Sequence, residues 1–146
     1  MAGNTKNPPS VGYSGTPLAK KLGVKPGHRL SLIDAPGGFE QKLVGLPEDA
    51  AVLRGLRGKA GFDVILLFCS NHRDLMQNFS RASERLTQAG GLWIAWPKKA
   101  SGVSTDLSEN AIRQFGLDAG LVDNKVCAID ETWSGLRFVI RLRDRK

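Results

Sequence analysis

Apolar positions along the chain follow two rhythms, short unbroken runs and recurrences at helical spacing. The strongest run is Phe62 to Cys69 (FDVILLFC). A segment apolar on both faces needs cover above and below, which predicts a strand inside a parallel sheet. Leu92 to Trp96 is a second such run. His28 to Asp34 (HRLSLID) alternates Leu30 and Leu32 with Arg29 and Ser31 before Ile33, and reads as a third strand. Ala50 to Leu53 predicts a weak edge strand, and Lys125 to Asp130 and Leu136 to Leu142 a closing pair. Glu131-Thr132-Trp133-Ser134-Gly135 is too short a bridge for a crossover, so that pair is antiparallel.

Between these runs the spacing changes. Leu75, Phe79, Ala82 and Leu86 step by four, three and four, which predicts a helix of about four turns, closed by Ala89-Gly90-Gly91. Asp106 with Glu109 forms a D-x-x-E variant of the capping box and opens a further helix, with Leu107, Ala111, Phe115 and Ala119 along one side. Thr16-Pro17 starts a shorter one through Leu18, Ala19 and Leu22 that ends at Gly23, and Phe39 to Val44 makes another, ended by Gly45. Helices alternating with buried strands and closing on a hairpin predict an α/β three-layer sandwich. Its sheet is six-stranded and mostly parallel, with one antiparallel strand from the C-terminal hairpin. Residues 1–15, rich in Gly, Pro, Asn and Ser, read as a flexible arm with Tyr13 as its anchor; residues 16–146 read as one domain.

Composition narrows the classes. Val64 to Cys69, the longest strongly apolar run, has six residues, against the roughly 20 needed to cross a bilayer. The first residues lack the apolar stretch of a signal peptide, so the expected setting is cytoplasmic, without a membrane. Cys69 and Cys127 lie in apolar strand patterns, and two cysteines without a Cys/His cluster imply neither a disulfide framework nor a metal site. The net charge of +7 raises nucleic acid as a partner, but the basic residues are spread out and are densest in the terminal RLRDRK.

In an open α/β sheet, ligands sit at the carboxyl ends of the parallel strands. The groups delivered there are Asp34 with Gly37 and Gly38, then Ser70 and His72, then Trp96, Lys98, Lys99, Ser101 and Asp106. Two ammonium groups, several hydroxyls and a following helix N-terminus suit a phosphate or carboxylate. The same loop also reads as a solvated connection in which Ser104, Thr105 or Asp106 caps the helix. Asp130, Glu131 and Trp133 form a second patch at the hairpin. Paired carboxylates beside an indole suit acid/base work, and suit equally a turn that caps the sheet edge. His28 falls at the opposite end of its strand. His72 is on the cleft side, but no G-x-S-x-G turn supplies it with a nucleophile. Asp123-Asn124-Lys125 reads as a turn with an ion pair of little worth.

Several longer stretches carry a resemblance. GYSGTPLAKKLG (Gly12 to Gly23), PGHR (Pro26 to Arg29), DAPGGFE (Asp34 to Glu40), WPKKASGVSTDL (Trp96 to Leu107) and GLVDNKVCAIDETWSGLRFV (Gly120 to Val139) resemble an uncharacterised bacterial family, domain of unknown function 3052. That family implies no activity. The order of elements from residue 16 to 142 is also similar to a trimmed class I, Rossmann-like methyltransferase. Gly23 to Asp34 takes the place of its first strand, Gly90-Gly91-Leu92-Trp93-Ile94 that of its GG-hydrophobic stretch, and Lys125 to Leu142 that of its final hairpin. A cofactor-binding member would carry an acidic residue and G-x-G after the first strand and an acid at the end of the second. Here Asp34-Ala35-Pro36-Gly37-Gly38 and Arg54 stand in those places, and only a short loop follows the second strand.

S-adenosylmethionine is therefore disfavoured as a cofactor. The expectation is a non-catalytic or degenerate methyltransferase-like domain that binds a protein partner or a small anionic ligand at the strand carboxyl ends. Two alternatives stand beside it. One is a minimal transferase, with or without S-adenosylmethionine, using Lys98, Lys99 and Asp34. The other is a nucleic-acid-binding module using the C-terminal basic residues with Arg54, Arg57 and Lys59.

Overall fold

The computed structural model describes residues 15–146, so all but the last residue of the expected arm, Tyr13 included, lies outside the described residues. Six strands form one sheet: β1 (Arg29–Ile33), β2 (Ala51–Arg54), β3 (Phe62–Phe68), β4 (Leu86–Pro97), β5 (Leu121–Ala128) and β6 (Trp133–Ile140), in the spatial order β2-β1-β3-β4-β6-β5. β1 pairs in parallel with β2 and β3, and β3 with β4. β6 runs antiparallel to both β4 and β5, between which it lies. This is the mixed, mostly parallel sheet that the pattern implies.

Burial explains why β3 is central. Ile65 and Leu67 enter a core on one face of the sheet, and Val64, Leu66 and Phe68 a core on the other. Each such side chain contributes on the order of 1.5–3 kcal/mol when removed from water, and β3 places all five below 3% exposure. The first face is covered by α2 (His72–Ser83) and α3 (Glu109–Asp118), whose Leu75, Phe79 and Ile112 are fully buried. The second is covered more thinly, by α1 (Leu18–Leu22) and a 3-10 turn over Phe39–Lys42. The indole N–H of Trp93 donates to the carbonyl of Leu22 at 3.0 Å and fastens α1 to the sheet.

Several boundaries differ from the sequence reading. Leu86 does not continue α2, which ends at Ser83, but opens β4 opposite Phe62. The cause is Arg85. Its carbonyl accepts from the Phe62 amide at 2.7 Å, and its guanidinium donates to the carbonyls of Leu56 and Ala60. Those bonds pull the chain out of the helix. Gly90 and Gly91 accordingly lie inside a strand, with a register shift between Phe62 and Val64 on its partner. A Cβ on Gly90 would stand 2.9 Å from the Asp63 carbonyl, and one on Gly91 would meet the Arg137 guanidinium. At Gly90 the obstacle is backbone, so a larger residue would force the strands apart; at Gly91 it is the end of a side chain that can swing away.

α3 also starts later than the D-x-x-E pattern suggests. Ser108 is its cap, accepting from the Ala111 amide at 3.2 Å, and the inward side carries Ile112 and Gly116 with Phe115 partly buried, while Ala111 and Ala119 face solvent. The short helix expected over Phe39 to Val44 is a 3-10 turn of four residues. Asp123, Asn124 and Lys125 are not a turn but an irregularity within β5. There Asp123 accepts from Arg113 of α3 at 2.9 Å. Among the described residues no helix is long and apolar enough to cross a membrane.

Candidate functional site

The parallel pairing of β1, β3 and β4 brings their carboxyl ends to one rim. Ile33 pairs with Leu67 and Phe68 with Ala95, so Asp34, Cys69 and Trp96 reach that rim side by side, Trp96 still paired to β6. At roughly 4.8 Å per strand, β1 and β4 stand about 10 Å apart along that rim.

The β1 loop is closed on itself. Asp34 has a left-handed backbone (φ 57°), a conformation that Asp tolerates better than most residues. The Arg54 guanidinium, from the end of β2, donates to the carbonyls of Ala35 (3.0 Å) and Pro36 (2.9 Å) and to both oxygens of Glu40 (2.7 and 2.8 Å). These bonds hold the Glu40 pKa down at about 2 and raise that of Arg54. Gly38, left-handed at φ 77°, starts the 3-10 turn behind the loop, and Gly37 is exposed beside it.

In the middle of the rim the polar groups bond one another. Asn71 caps α2 by accepting from the Asp74 amide at 2.9 Å, and Asp74 accepts in return from the Ser70 amide at 2.9 Å. Asp34 accepts from the Asn78 side chain at 3.4 Å. Asp106 is a tether and not a helix cap: it accepts from the His72 amide at 2.8 Å and joins the loop after β4 to the start of α2. The His72 imidazole lies edge-on against Phe115, with ring centres 5.9 Å apart.

Beyond β4 the rim opens into a cleft of about 730 Å³. Trp96, Pro97, Lys98 and Lys99 line it, together with Ser108 and Asn110 from the start of α3. Ser134 reaches it from β6, where it pairs with Trp96. Ser101 lies outside the lining and shapes the wall: its hydroxyl donates to the Lys98 carbonyl at 2.6 Å and accepts from the Val103 amide at 3.2 Å. The Glu109 carboxylate borders the cleft but is held by Arg113 at 2.6 Å. Neither Lys98 nor Lys99 has a carboxylate partner among the described residues. Thus Trp96, Lys98 and Lys99 come together, whereas Asp34, Gly37, Gly38, Ser70 and His72 are not part of this cleft. The sequence reading missed Ser108 and Asn110, and grouped Ser134 with the hairpin end and not with this cleft. Ser134 was within reach of it, since pairing the hairpin against Leu92 to Trp96 would have set it beside Trp96.

The hairpin patch is occupied by its own bonds. Asp130, 4% exposed, accepts from the amides of Thr132 (2.8 Å) and Trp133 (2.9 Å) through one oxygen and from the Lys42 ammonium (2.8 Å) through the other. Glu131 also takes Lys42, at 3.1 Å. Burial works against the Lys42 charge, but these two carboxylates outweigh it and hold its pKa above the usual lysine range. Trp133 stands edge-on to Phe68, and Phe68 to Phe39, each at 5.0 Å between centres, so the hairpin, β3 and the 3-10 turn form one aromatic column. Among the described residues no group of three or more His, Cys, Asp and Glu is placed to hold a metal ion.

Solved structures with a similar fold include methyltransferases. One is a SAM dependent methyltransferase from Aquifex aeolicus, with TM-score 0.55 and 17% identity over 85% of this chain and 88% of that one. Another is the ribosomal protein L11 methylase from Lactobacillus delbrueckii subsp. bulgaricus (0.53, 12%, 85% and 75%). A third is the glycopeptide N-methyltransferase MtfA complexed with sinefungin (0.54, 10%, 84% and 83%). At such identities the likeness is one of fold, which hosts many activities. No curated protein matches the sequence. The model of a family described as protein of unknown function, DUF3052, matches residues 57–142, more than half of the chain, and the protein belongs to that family.

Proposed function

We propose that this protein is a degenerate, non-catalytic member of the methyltransferase-like fold that holds a small anionic ligand in the cleft beyond β4 and does not take S-adenosylmethionine on the β1 loop. The observation that carries this reading is the Arg54 guanidinium on the carbonyls of Ala35 and Pro36. A nucleoside cofactor needs backbone N–H groups free to approach it after the first strand and an acceptor for its ribose hydroxyls after the second. Pro36 has no N–H, the loop carbonyls face a cation, and the residue at the end of β2 is itself that cation. The residues present do not fit the cofactor, although the enzyme from Aquifex aeolicus is described as dependent on it.

The cleft, by contrast, has the makings of an anion site. The Lys98 and Lys99 ammonium groups stand free of carboxylates among the described residues, and the one acid in the lining, Glu109, is paired with Arg113, which it shares with Asp123. Ser108 bonds the Ala111 amide, which leaves the first amides of α3, at Glu109 and Asn110, without a partner in the described residues.

Calorimetric titration with S-adenosylmethionine and its demethylated product tests the first half of the proposal: no saturable heat is expected, and micromolar binding of either overturns it. Inorganic phosphate added to the isotope-labelled protein tests the second. Amide resonances of Lys98, Lys99 and Asn110 should move in the wild type and stay still in Lys98→Ala with Lys99→Ala. Resonances that stay still in both overturn the anion site.

A further inference from the structure

The same cleft constrains its ligand beyond charge, and this inference rests on the anion-site reading above. An inorganic ion would fill little of a volume of about 730 Å³, which is instead the size of cavities that hold small organic molecules. Lys98 and Lys99 supply its cations, and Ser104, Thr105, Ser108, Asn110 and Ser134 further polar groups. Trp96, Pro97, Val103 and Leu107 are its apolar members. Trp96 and Leu107, each 7% exposed, form the inner part, and Val103, 47% exposed, forms the lip. Val103 is held at that lip by its amide bond to the Ser101 hydroxyl, so its exposure belongs to a fixed loop. Free phosphate would engage the ammonium groups and leave Val103, the apolar lining side chain with substantial exposure, wet. A ligand with an oxyanion at one end and an apolar body at the other would cover both.

We infer that the cleft takes a small organic oxyanion, a phosphate monoester or carboxylate, whose anionic head lies on Lys98 and Lys99 and whose planar or branched apolar body lies between Trp96 and Val103. Direct charge contacts orient the head, and removal of apolar surface from water supplies the preference for the ester over the free ion.

Phenyl phosphate, inorganic phosphate and phenol, titrated separately against the full chain and followed by amide resonances, separate the possibilities. Phenyl phosphate should bind at least about tenfold more tightly than inorganic phosphate, a difference of about 1.4 kcal/mol. Val103→Ser should cut that advantage severalfold and leave inorganic phosphate unchanged. Lys98→Ala with Lys99→Ala should weaken both, with the circular dichroism of each variant unchanged. Equal binding of phenyl phosphate and inorganic phosphate at Lys98 and Lys99, or no effect of Val103→Ser, overturns the inference and leaves the anion site standing. Phenol binding as tightly as phenyl phosphate, or no response to any of the three, overturns both.

Discussion

Arg54 and Glu40 meet through two parallel hydrogen bonds, 2.7 and 2.8 Å long, that tie the end of edge strand β2 to the turn behind β1. The paired geometry matches the planar guanidinium to the planar carboxylate. The same guanidinium reaches the carbonyls of Ala35 and Pro36, so one side chain fixes the whole loop after β1. The loop that would have to offer backbone amides to S-adenosylmethionine thus turns carbonyls toward an arginine instead.

The pair makes the loop sensitive to acid. Glu40 falls from its ordinary pKa of 4.5 to about 2 because Arg54 bonds its charged form. A depressed carboxylate contributes stability above its unfolded pKa and loses it as pH falls through the folded one. The melting temperature of the wild type should therefore exceed that of Glu40→Gln at neutral pH, and the gap should close between pH 4.5 and about 2. In Arg54→Ala, an NMR titration of the Glu40 carboxyl should find it raised toward its ordinary value, with the remaining lowering due to its backbone hydrogen bond. A gap independent of pH would mean that packing and not charge holds the pair.

Gly116 offers a test of how α3 seats on the sheet. A Cβ there would enter the Phe138 ring, which is fully buried and packed edge-on against Phe79. Ala would favour the helix by about 1 kcal/mol over Gly. Overpacking a closed core costs typically about 1–3 kcal/mol, so collision should win and Gly116→Ala should lower stability in urea unfolding. Adding Phe138→Leu should lessen the penalty of Gly116→Ala, which a purely conformational effect at Gly116 would not allow.

These contacts also mark where the sequence was readable. Phe62 to Cys69 was readable as a central strand because the six successive residues from Val64 to Cys69 are apolar, and all six are buried; the hairpin followed from the brevity of its bridge. Leu86 was misplaced because helical spacing continued past the true end of α2, and nothing local reveals that Arg85 bonds Leu56 and Ala60, some 25 to 29 residues away. Asp106 looked like a cap because Glu109 stood three residues on, yet its partner is the His72 amide, fixed only by the packing of two loops. The rim was legible from the parallel strands. Its division was not: Arg54 seals the Asp34 side and the cleft forms beyond Trp96, a result of bonds between segments distant in sequence.

The two thiols should differ in reactivity. Cys69 is fully buried, and burial, with the Asp74 and Asp34 carboxylates adding to it, pushes its pKa up to about 12. Near pH 8 its thiolate is then roughly one part in ten thousand. Cys127 is partly exposed on edge strand β5; burial raises its pKa too, against the pull of Lys21 and Lys125. Iodoacetamide at pH 8 followed by peptide mass mapping should find Cys127 modified in the native protein and Cys69 only after denaturant is added. Native labelling of Cys69 would require an opening of the sheet end beside Asp34.

Asp130 decides whether the hairpin patch is structure or chemistry. One of its oxygens receives the Thr132 and Trp133 amides and the other the Lys42 ammonium. Asp130→Ala would strip two turn amides of their acceptor and leave Lys42 with Glu131 alone, and leaving a buried polar group unpaired costs about 1–3 kcal/mol. Asp130→Asn keeps a carbonyl oxygen for both amides and gives up only the charge toward Lys42, a partner that is 43% exposed and screened by solvent. Urea unfolding should therefore rank wild type above Asp130→Asn, and Asp130→Asn well above Asp130→Ala. If Asn were as harmful as Ala, the carboxylate charge would be the important feature and an ionic role for the patch would follow. If the turn carries the effect, Trp133 fluorescence should shift in the Ala variant alone, because only there is the indole released from its column with Phe68 and Phe39.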